Sequence, residues 1–499
     1  MRDERKLILL FCAVAAVRVF IFSAAFPFFN NVDEQAHIDL VMKYARGQVP
    51  RELGHYSAES ANYISLYSTP EYFTAPQQFS GNDFPPPNWT LPIEQRDDVV
   101  NRTSAWWLAN ENHESGEPPL YYTIAGLWLI LGRVCGITGA WSLYWIRFFN
   151  MFVAALLVWV GFVAARLVFP DRRFICLSVP LLLAVWPQST FYSITSDSLS
   201  PLCFGIAFIG LVRLLRTEAP NLLLAIGTGL ALAATCLVKT TNIVLLLVAG
   251  LAIIFQIRNL SQTRAVRPHL ASVAALIGSA VIPIALWFAW NLHTFGDLTA
   301  TASKIDFLGW TPKPARNWWP HPIFTPNGLR EFWPELIASF WRGEFIWQGK
   351  RLALPATDAF CWIFSTLAIG LAVIGLFLRR TKFAAFQRRS LWLAFSSFAV
   401  LIFLVVILSI AFDFGPCPYP SREHPFFTSG RLLNGAAVPF FLLCCTALDC
   451  WLPRPWPRII LFAGIVLFIT ISQSVLNWPA FSSRYNLFHL GTSDYSGGT

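Results

Sequence analysis

Asn30-Asn31-Val32-Asp33-Glu34-Gln35-Ala36-His37 follows directly on the first apolar segment of the chain, and the next long apolar stretch does not begin until about residue 119. Two adjacent carboxylates and an imidazole therefore stand where a chain has just left a bilayer. Charged groups at that depth are costly unless they have partners or a task. Two readings are open. One is a helix start, with Asn31 or Asp33 as cap and Glu34 in the first turn. The other is a functional cluster, and the two are compatible.

The 499 residues are 55% hydrophobic and only 13% charged, with a mean hydropathy of +0.51. A soluble chain of this length would carry about a quarter charged residues. Several apolar runs reach the roughly 20 residues needed to cross a bilayer. The expected fold is an all-α polytopic membrane protein whose first partner is the lipid bilayer. The net charge of +9 does not point to nucleic acid, because the basic residues sit in short loops between apolar segments. The ten cysteines are not a disulfide framework: Cys12, Cys176, Cys203, Cys236, Cys361, Cys444 and Cys445 lie inside apolar segments, where cysteine acts as a small hydrophobe. The basic start, Met1 to Lys6, precedes an apolar run with no small-residue cleavage site, so it reads as a retained anchor with a cytoplasmic N-terminus.

After the first span at 7–26, apolar segments follow at about 119–135, 147–169, 174–193, 198–216, 222–238, 241–257, 270–292, 357–378, 391–412, 431–451 and 457–477. Cytoplasmic loops collect Lys and Arg. The linkers around Arg172-Arg173, Arg213 to Arg216, Arg258 to Arg267, Arg379 to Arg389 and Arg454 to Arg458 all fall inside only if 119–135 does not cross. The expectation is about 11 spans in one integral membrane domain over 1–499. Its parts are an N-terminal span (1–26), a long outer loop (27–146), a bundle (147–292), a Trp- and Pro-rich outer loop (293–356), C-terminal spans (357–477) and an outer tail (478–499). The loop at 27–118 holds 13 Asp and Glu against 5 Lys and Arg, and seven of the eight histidines, all but His269, fall on the outer face.

Four polar features share that face. The first is Asp33-Glu34 with His37. The second is His113-Glu114-Ser115-Gly116-Glu117 ahead of Pro118-Pro119-Leu120-Tyr121-Tyr122, where proline also suits a helix first turn. The third is Lys239 in Lys239-Thr240-Thr241-Asn242, equally readable as a snorkelling anchor. The fourth is Gly430-Arg431-Leu432-Leu433, with Arg422, Glu423 and His424 before it. Arg431 opens a span from outside, where a guanidinium can hold a lipid phosphate through two donors. Asp197 is a further outer acid, with helix capping as its simpler role. The second histidine of an HExxH zinc site is missing after His113-Glu114, and no ligand set has metal-specific spacing, so no metal is required. No Gly-rich phosphate loop is present, and the cytoplasmic side is nearly without carboxylates. The layout suits a lipid-linked donor reached from outside better than a nucleotide sugar.

Together these residues resemble the GT-C membrane glycosyltransferases. Asp33-Glu34 with His37, then an acid ahead of Pro118-Pro119-Leu120, is similar to the first outer loop of protein O-mannosyltransferases and aminoarabinose lipid A transferases. Ser339-Phe340-Trp341-Arg342-Gly343, Lys239 and Gly430-Arg431-Leu432-Leu433 add a likeness to a bacterial membrane protein family of unknown function in the same clan. In those relatives His directly precedes Pro-Pro; here Glu117 does, with His113 displaced, so Glu114 and Glu117 both stand as the second acid. The resemblance implies a GT-C-like bundle with interfacial helices in the first outer loop. It implies transfer of a sugar from a polyprenyl-phosphate donor to an outer-face acceptor at a bacterial inner membrane, by one inverting displacement. Asp33 is the first choice of base and Glu34 the second. Arg431, Lys239 and Arg422 would hold the departing phosphate, and His37, His113, His424 and Tyr121 would line the substrate site. A divalent metal is compatible with the resemblance, since some relatives use one. Two other classes stay open: a transporter or flippase, for which repeated halves or paired broken helices would be expected, and a non-catalytic assembly protein of envelope biogenesis.

Overall fold

The computed structural model describes residues 2–69, 85–216, 219–262, 266–347 and 350–486. The expected outer tail thus lies outside the described residues from 487 onward. The chain is helical almost throughout. In order the helices are α1 (Arg2–Ala25), α2 (Glu34–Ala45), α3 (Ala58–Tyr67), α4 (Ile93–Ala109), α5 (Pro119–Val134), α6 (Ala140–Val168), α7 (Arg173–Val185), α8 (Ser200–Arg216) and α9 (Leu222–Val238). They continue with α10 (Leu246–Gln262), α11 (Val266–Phe295), α12 (Ala302–Phe307), α13 (Pro326–Arg342), α14 (Pro355–Leu378), α15 (Ala385–Ala411), α16 (Ala437–Trp451) and α17 (Pro455–Phe481). Among the described residues the only sheets are two pairs of two-residue strands.

Among the described residues nine helices are long and apolar enough to cross a membrane, and α7 and α9 are apolar but shorter. These segments fall at the eleven expected spans, nine of them long enough to cross. The 16-residue α5 is not among them. Contacts at both ends of α1 define the path of the chain. At its start, Glu4 lies 3.6 Å from Arg166 at the end of α6 and 3.7 Å from Arg173 at the start of α7. Past its other end, the Phe26 carbonyl accepts from Arg147, near the start of α6. So α1 and α6 run antiparallel, and the chain between them returns to the side it left. The same end as Glu4 gathers Arg172 and Arg458, both on Asp449. The linkers at Arg172-Arg173, Arg379 to Arg389 and Arg454 to Arg458 therefore meet at one end of the bundle, as the charge pattern requires.

Two helices end earlier than apolarity alone suggests. The expected span at 174–193 stops at Val185, because Pro187 disfavours helical backbone at Trp186, whose ψ is 116°. The chain then forms short 3-10 turns over Ser189–Tyr192 and Ser196–Ser198. The 241–257 span likewise opens as a 3-10 turn, Thr240–Leu245. Irregular backbone at membrane depth is tolerated where protein surrounds it, and all of Ser189–Ser198 is buried. These two irregular segments carry Asp197 and Lys239.

Behind them, rings of Trp186, Phe340, Phe398, Phe440 and Phe441 pack at centroid separations between 5.0 and 5.8 Å. This is the geometry in which aromatic pairs contribute beyond area burial. Trp186 and Phe340 are fully buried.

Candidate functional site

Asp33 precedes α2 with a left-handed φ of 62°. Non-glycine residues rarely adopt this conformation, and it concentrates at functional sites. The side chain makes no cap hydrogen bond to the helix, so the capping reading does not describe it. Instead Asp33 Oδ2 accepts from Arg431 Nη2 at 2.7 Å, and Oδ1 lies 3.2 Å from His113 Nε2. Arg431 is shared among three acids. Nη1 is 3.5 Å from Asp197 Oδ2, and Nε is 3.4 Å from Glu344 Oε2. Asp197 is held in turn by Lys239 at 3.3 Å. Lys239 is therefore buried and ion-paired rather than a snorkelling anchor, and Asp197 is a network member rather than a cap.

The loop before α5 brings the other half. Asn112 Nδ2 donates to the Ala36 carbonyl and to Asp39 Oδ2, both on α2, which fixes His113 and Glu114 beside Asp33. His113 Nε2 is 3.5 Å from Glu114 Oε1, and Lys304 of α12 reaches Glu114 at 2.6 Å and Glu117 at 3.9 Å. Both candidates for the second acid thus share one cation. The loop carrying Arg431 is seated by the Ser339–Gly343 segment: Ser339 Oγ donates to the Thr428 carbonyl at 2.6 Å and accepts from Gly430 N–H at 2.8 Å. A Cβ on Gly430 would collide with the Phe340 amide nitrogen, so only glycine lets Arg431 approach this closely.

Burial and charge pull the acids apart. Burial by itself would raise the Asp33 carboxyl. The Arg431 charge, the His113 hydrogen bond and Lys304 override it and hold Asp33 well below the usual carboxylate range. Glu114 is likewise held low, with Lys304 outweighing burial. For Glu117 burial wins, reinforced by Glu114, and its carboxyl is pushed up to about 7 in spite of Lys239. The His37 imidazole, buried on α2, is lowered to about 4; Nδ1 lies 2.7 Å from Tyr122 Oη. Burial likewise raises the Tyr121 phenol.

A cavity of about 340 Å³ opens beside this network. Its lining includes the ionic side chains of Glu117, Lys239, Lys304 and Arg431 and the apolar side chains of Leu404, Leu408, Phe412 and Phe427, while Asp33 lies behind Arg431 and outside the lining. Asp33, His113 and Glu114 offer ligand atoms within 4.8 Å of one another. The two carboxylates of this set are also paired with cations, Asp33 with Arg431 at 2.7 Å and Glu114 with Lys304 at 2.6 Å, while Glu114 Oε2 is buried with no hydrogen-bond partner among the described residues.

Not every expected residue joins. Glu34 points away from Asp33 and is fully buried, with its carboxylate bridged by Arg147 Nε and Nη2, each at 2.8 Å. It also accepts from Phe29 and Ile194 N–H at 2.9 Å. With four donors in place and no exposure, it has no free lone pair aimed at a substrate. Arg422 is exposed on Asp413, and His424 sits on Glu335, 3.0 Å away; neither lines the cavity. His37 and Tyr121 pack behind the network, as core rather than as lining. Lys304, Glu344 and Arg147 escaped the sequence reading. Glu344 had a usable signal, since it directly follows Ser339–Gly343. Lys304 had none. An Arg422→Ala variant is accordingly expected to keep activity within about a factor of five of wild type, the scale of an exposed ion pair; a turnover assay on the variant checks this.

Fold and network together define an integral membrane protein with a buried ion-pair network at the end of the helical bundle opposite its basic linkers. The chain belongs to the family described as predicted membrane protein (DUF2142), whose profile matches residues 17–414. That match includes Asp33, His113, Glu114, Lys239 and Lys304 and ends before Arg431. Among solved structures, the Archaeoglobus fulgidus oligosaccharyltransferase in complex with zinc and sulfate is similar at 11% identity and TM-score 0.46, over 96% of this chain and 53% of that one. The same organism's AglB in complex with an inhibitory peptide and dolichol-phosphate gives 11% identity and TM-score 0.42, over 94% and 56%. The chain thus spans a little over half the length of these archaeal proteins. A comparison with curated proteins finds no match.

Proposed function

We propose that this protein is a membrane glycosyltransferase of GT-C type that moves a sugar from a polyprenyl-phosphate donor to an acceptor at the outer face of a bacterial inner membrane. The observation that carries this reading is the 2.7 Å contact between Asp33 and Arg431, with Arg431 lining a cavity that holds both ionic and apolar side chains. A carboxylate suits the proton of an acceptor hydroxyl. A guanidinium suits a phosphate, and in a low-dielectric site it is most effective where negative charge develops. The apolar side chains suit the first isoprenes of a lipid carrier.

In the proposed reaction the acceptor oxygen attacks the anomeric carbon as its proton passes to Asp33. The bond from the anomeric carbon to the phosphate oxygen breaks on the opposite face, and its electron pair leaves with the polyprenyl phosphate. Configuration inverts in this single displacement. Arg431 and Lys239 neutralise the leaving group. Both Asp33 oxygens are engaged, Oδ1 by His113 and Oδ2 by Arg431. Transfer of Arg431 to the donor phosphate removes the contact that holds the Asp33 carboxyl low, and so makes it a stronger base when the donor is in place.

The direct test is release of polyprenyl phosphate by the protein in lipid, given a panel of polyprenyl-phosphate sugars with crude envelope acceptors. Acceptor-dependent release supports the transferase and identifies the sugar. No release from any donor by folded protein would sink it.

Glu117 gives a pH signature. Its carboxyl titrates near 7, so it is neutral below that pH and anionic above. Ionisation adds a negative charge to a cavity that must admit a phosphate. Donor affinity is therefore expected to weaken as pH rises through about 7 in wild type, and to stay flat over the same range in Glu117→Gln. Titration of donor binding at pH 6 and pH 8 decides it, and identical pH dependence in both proteins removes Glu117 from the cavity's charge balance.

A further inference from the structure

Arg18 is the one charged residue between Lys6 and Asp33. It lies inside α1, seven residues before Ala25, or about 10 Å along the helix from that end. A cation at such a position is costly unless it is compensated. Among the described residues every hydrogen bond it makes is to a neutral group. Nε donates to the Ala184 carbonyl at 2.9 Å, which is free because α7 stops one residue later and its last carbonyls lack helical partners. Nη1 donates to Tyr192 Oη, and the guanidinium carbon lies 5.6 Å from the centre of the Tyr192 ring. Tyr192 Oη also accepts from Gln473 of α17. These contacts pin one edge of the guanidinium, and Nη2 has no hydrogen bond among the described residues.

Arg18 borders a groove of about 620 Å³ between α1, α7 and α17, lined also by Val14, Val17, Ser474, Trp478 and Phe481. It shares no residue with the cavity beside Asp33. The α1 wall is apolar on both sides of Arg18, from Leu10 to Ile21. That is about 17 Å, close to the depth of one leaflet.

We propose that this groove binds one anionic phospholipid, with its phosphate on the open edge of Arg18 and an acyl chain along α1. The charge argument selects the headgroup. A net anion cancels the Arg18 charge, whereas a zwitterionic lipid brings a second cation with its phosphate. Trp478, exposed at the groove, is the residue type that sits at headgroup level. The site has a structural consequence. Tyr192 ends the 3-10 turn whose next residues hold the Asp33 segment: Ser193 Oγ accepts from Asn31 Nδ2 at 2.6 Å, and Ile194 N–H donates to Glu34. A bound lipid would brace that segment from the membrane side. The inference stands apart from the transferase reading and is tested without turnover.

The full chain would be placed in bilayer discs of equimolar phosphatidylglycerol and phosphatidylcholine, released, and its retained lipids counted by native mass spectrometry. One phosphatidylglycerol is expected to stay bound, with a preference over phosphatidylcholine of about fivefold or more, the scale of one cation near a charged headgroup. Arg18→Gln should abolish that preference. Ser474→Trp, which fills the groove from α17 and leaves Arg18 in place, should abolish retention. Equal retention of the two lipids by wild type overturns the proposal without recourse to any variant. So does selective retention that survives Ser474→Trp. Displacement of the retained lipid by polyprenyl phosphate at lower concentration than by phosphatidylglycerol overturns the assignment to a bilayer phospholipid.

Discussion

Asp33→Asn is expected to lower turnover by about 10³-fold, within the range for loss of a general base, while the protein stays folded and binds donor lipid no more weakly. The substitution keeps shape and removes charge. Arg431 retains Asp197 at 3.5 Å and Glu344 at 3.4 Å, so the guanidinium keeps its place. It also loses its shortest ionic contact, 2.7 Å to Asp33, which leaves it freer to meet a phosphate. An unchanged or tighter donor dissociation constant with slow chemistry is the pattern of an interaction needed only in the transition state. The measurement pairs donor binding with single-turnover release of polyprenyl phosphate. Equal release by mutant and wild type removes Asp33 as the base; equal loss of binding and turnover makes it a binding residue instead.

Asp33 and Glu34 show how far the sequence could be read. Composition and apolar runs are enough for an all-α membrane bundle, and loop charge is enough to favour a path in which 119–135 does not cross, because these are summed properties of many residues. The placing of Asp33, His113, Glu114, Lys239 and Arg431 together came from motifs on one face. Their partners did not. Glu34 is one residue from Asp33 and carries the same carboxylate, yet α2 starts between them. Asp33, in a left-handed turn, faces Arg431, and Glu34, in the first helical turn, faces Arg147. No periodicity separates them. Arg147 stands at the edge of an apolar run where a lone cation is easily taken for a terminus. Lys304 lies in a Trp- and Pro-rich loop, and its meeting with Glu114 spans 190 residues. Long-range ion pairs of this kind leave no local trace.

Removing Glu34 should produce the opposite defect. Glu34→Ala is expected to cost about 3–5 kcal/mol of stability, the range for leaving one member of a buried pair uncompensated. Arg147 is 1% exposed and Glu34 is fully buried. The guanidinium also donates to the Phe26 and Pro27 carbonyls and lies 4.4 Å from the Phe28 ring centre. Those neutral contacts hold its position and do not cancel its charge. The pair therefore ties the end of α1 to α6 and, through Ile194 N–H, to the turn before Asp197. Its loss loosens the frame on which Asp33 is mounted. Thermal unfolding in one fixed detergent, followed by tryptophan fluorescence, should show Glu34→Ala and Arg147→Met each melting several degrees below wild type. The double variant Glu34→Met/Arg147→Met should recover much of the loss, because two apolar groups replacing a buried pair cost far less than one orphaned charge. With Glu34→Met measured as the matching single variant, the double variant should cost far less than the sum of the two singles, the signature of a strongly coupled pair. A Glu34→Ala protein as stable as wild type but without turnover would reverse the roles of the two acids, making Glu34 the base and Asp33 the anchor of Arg431.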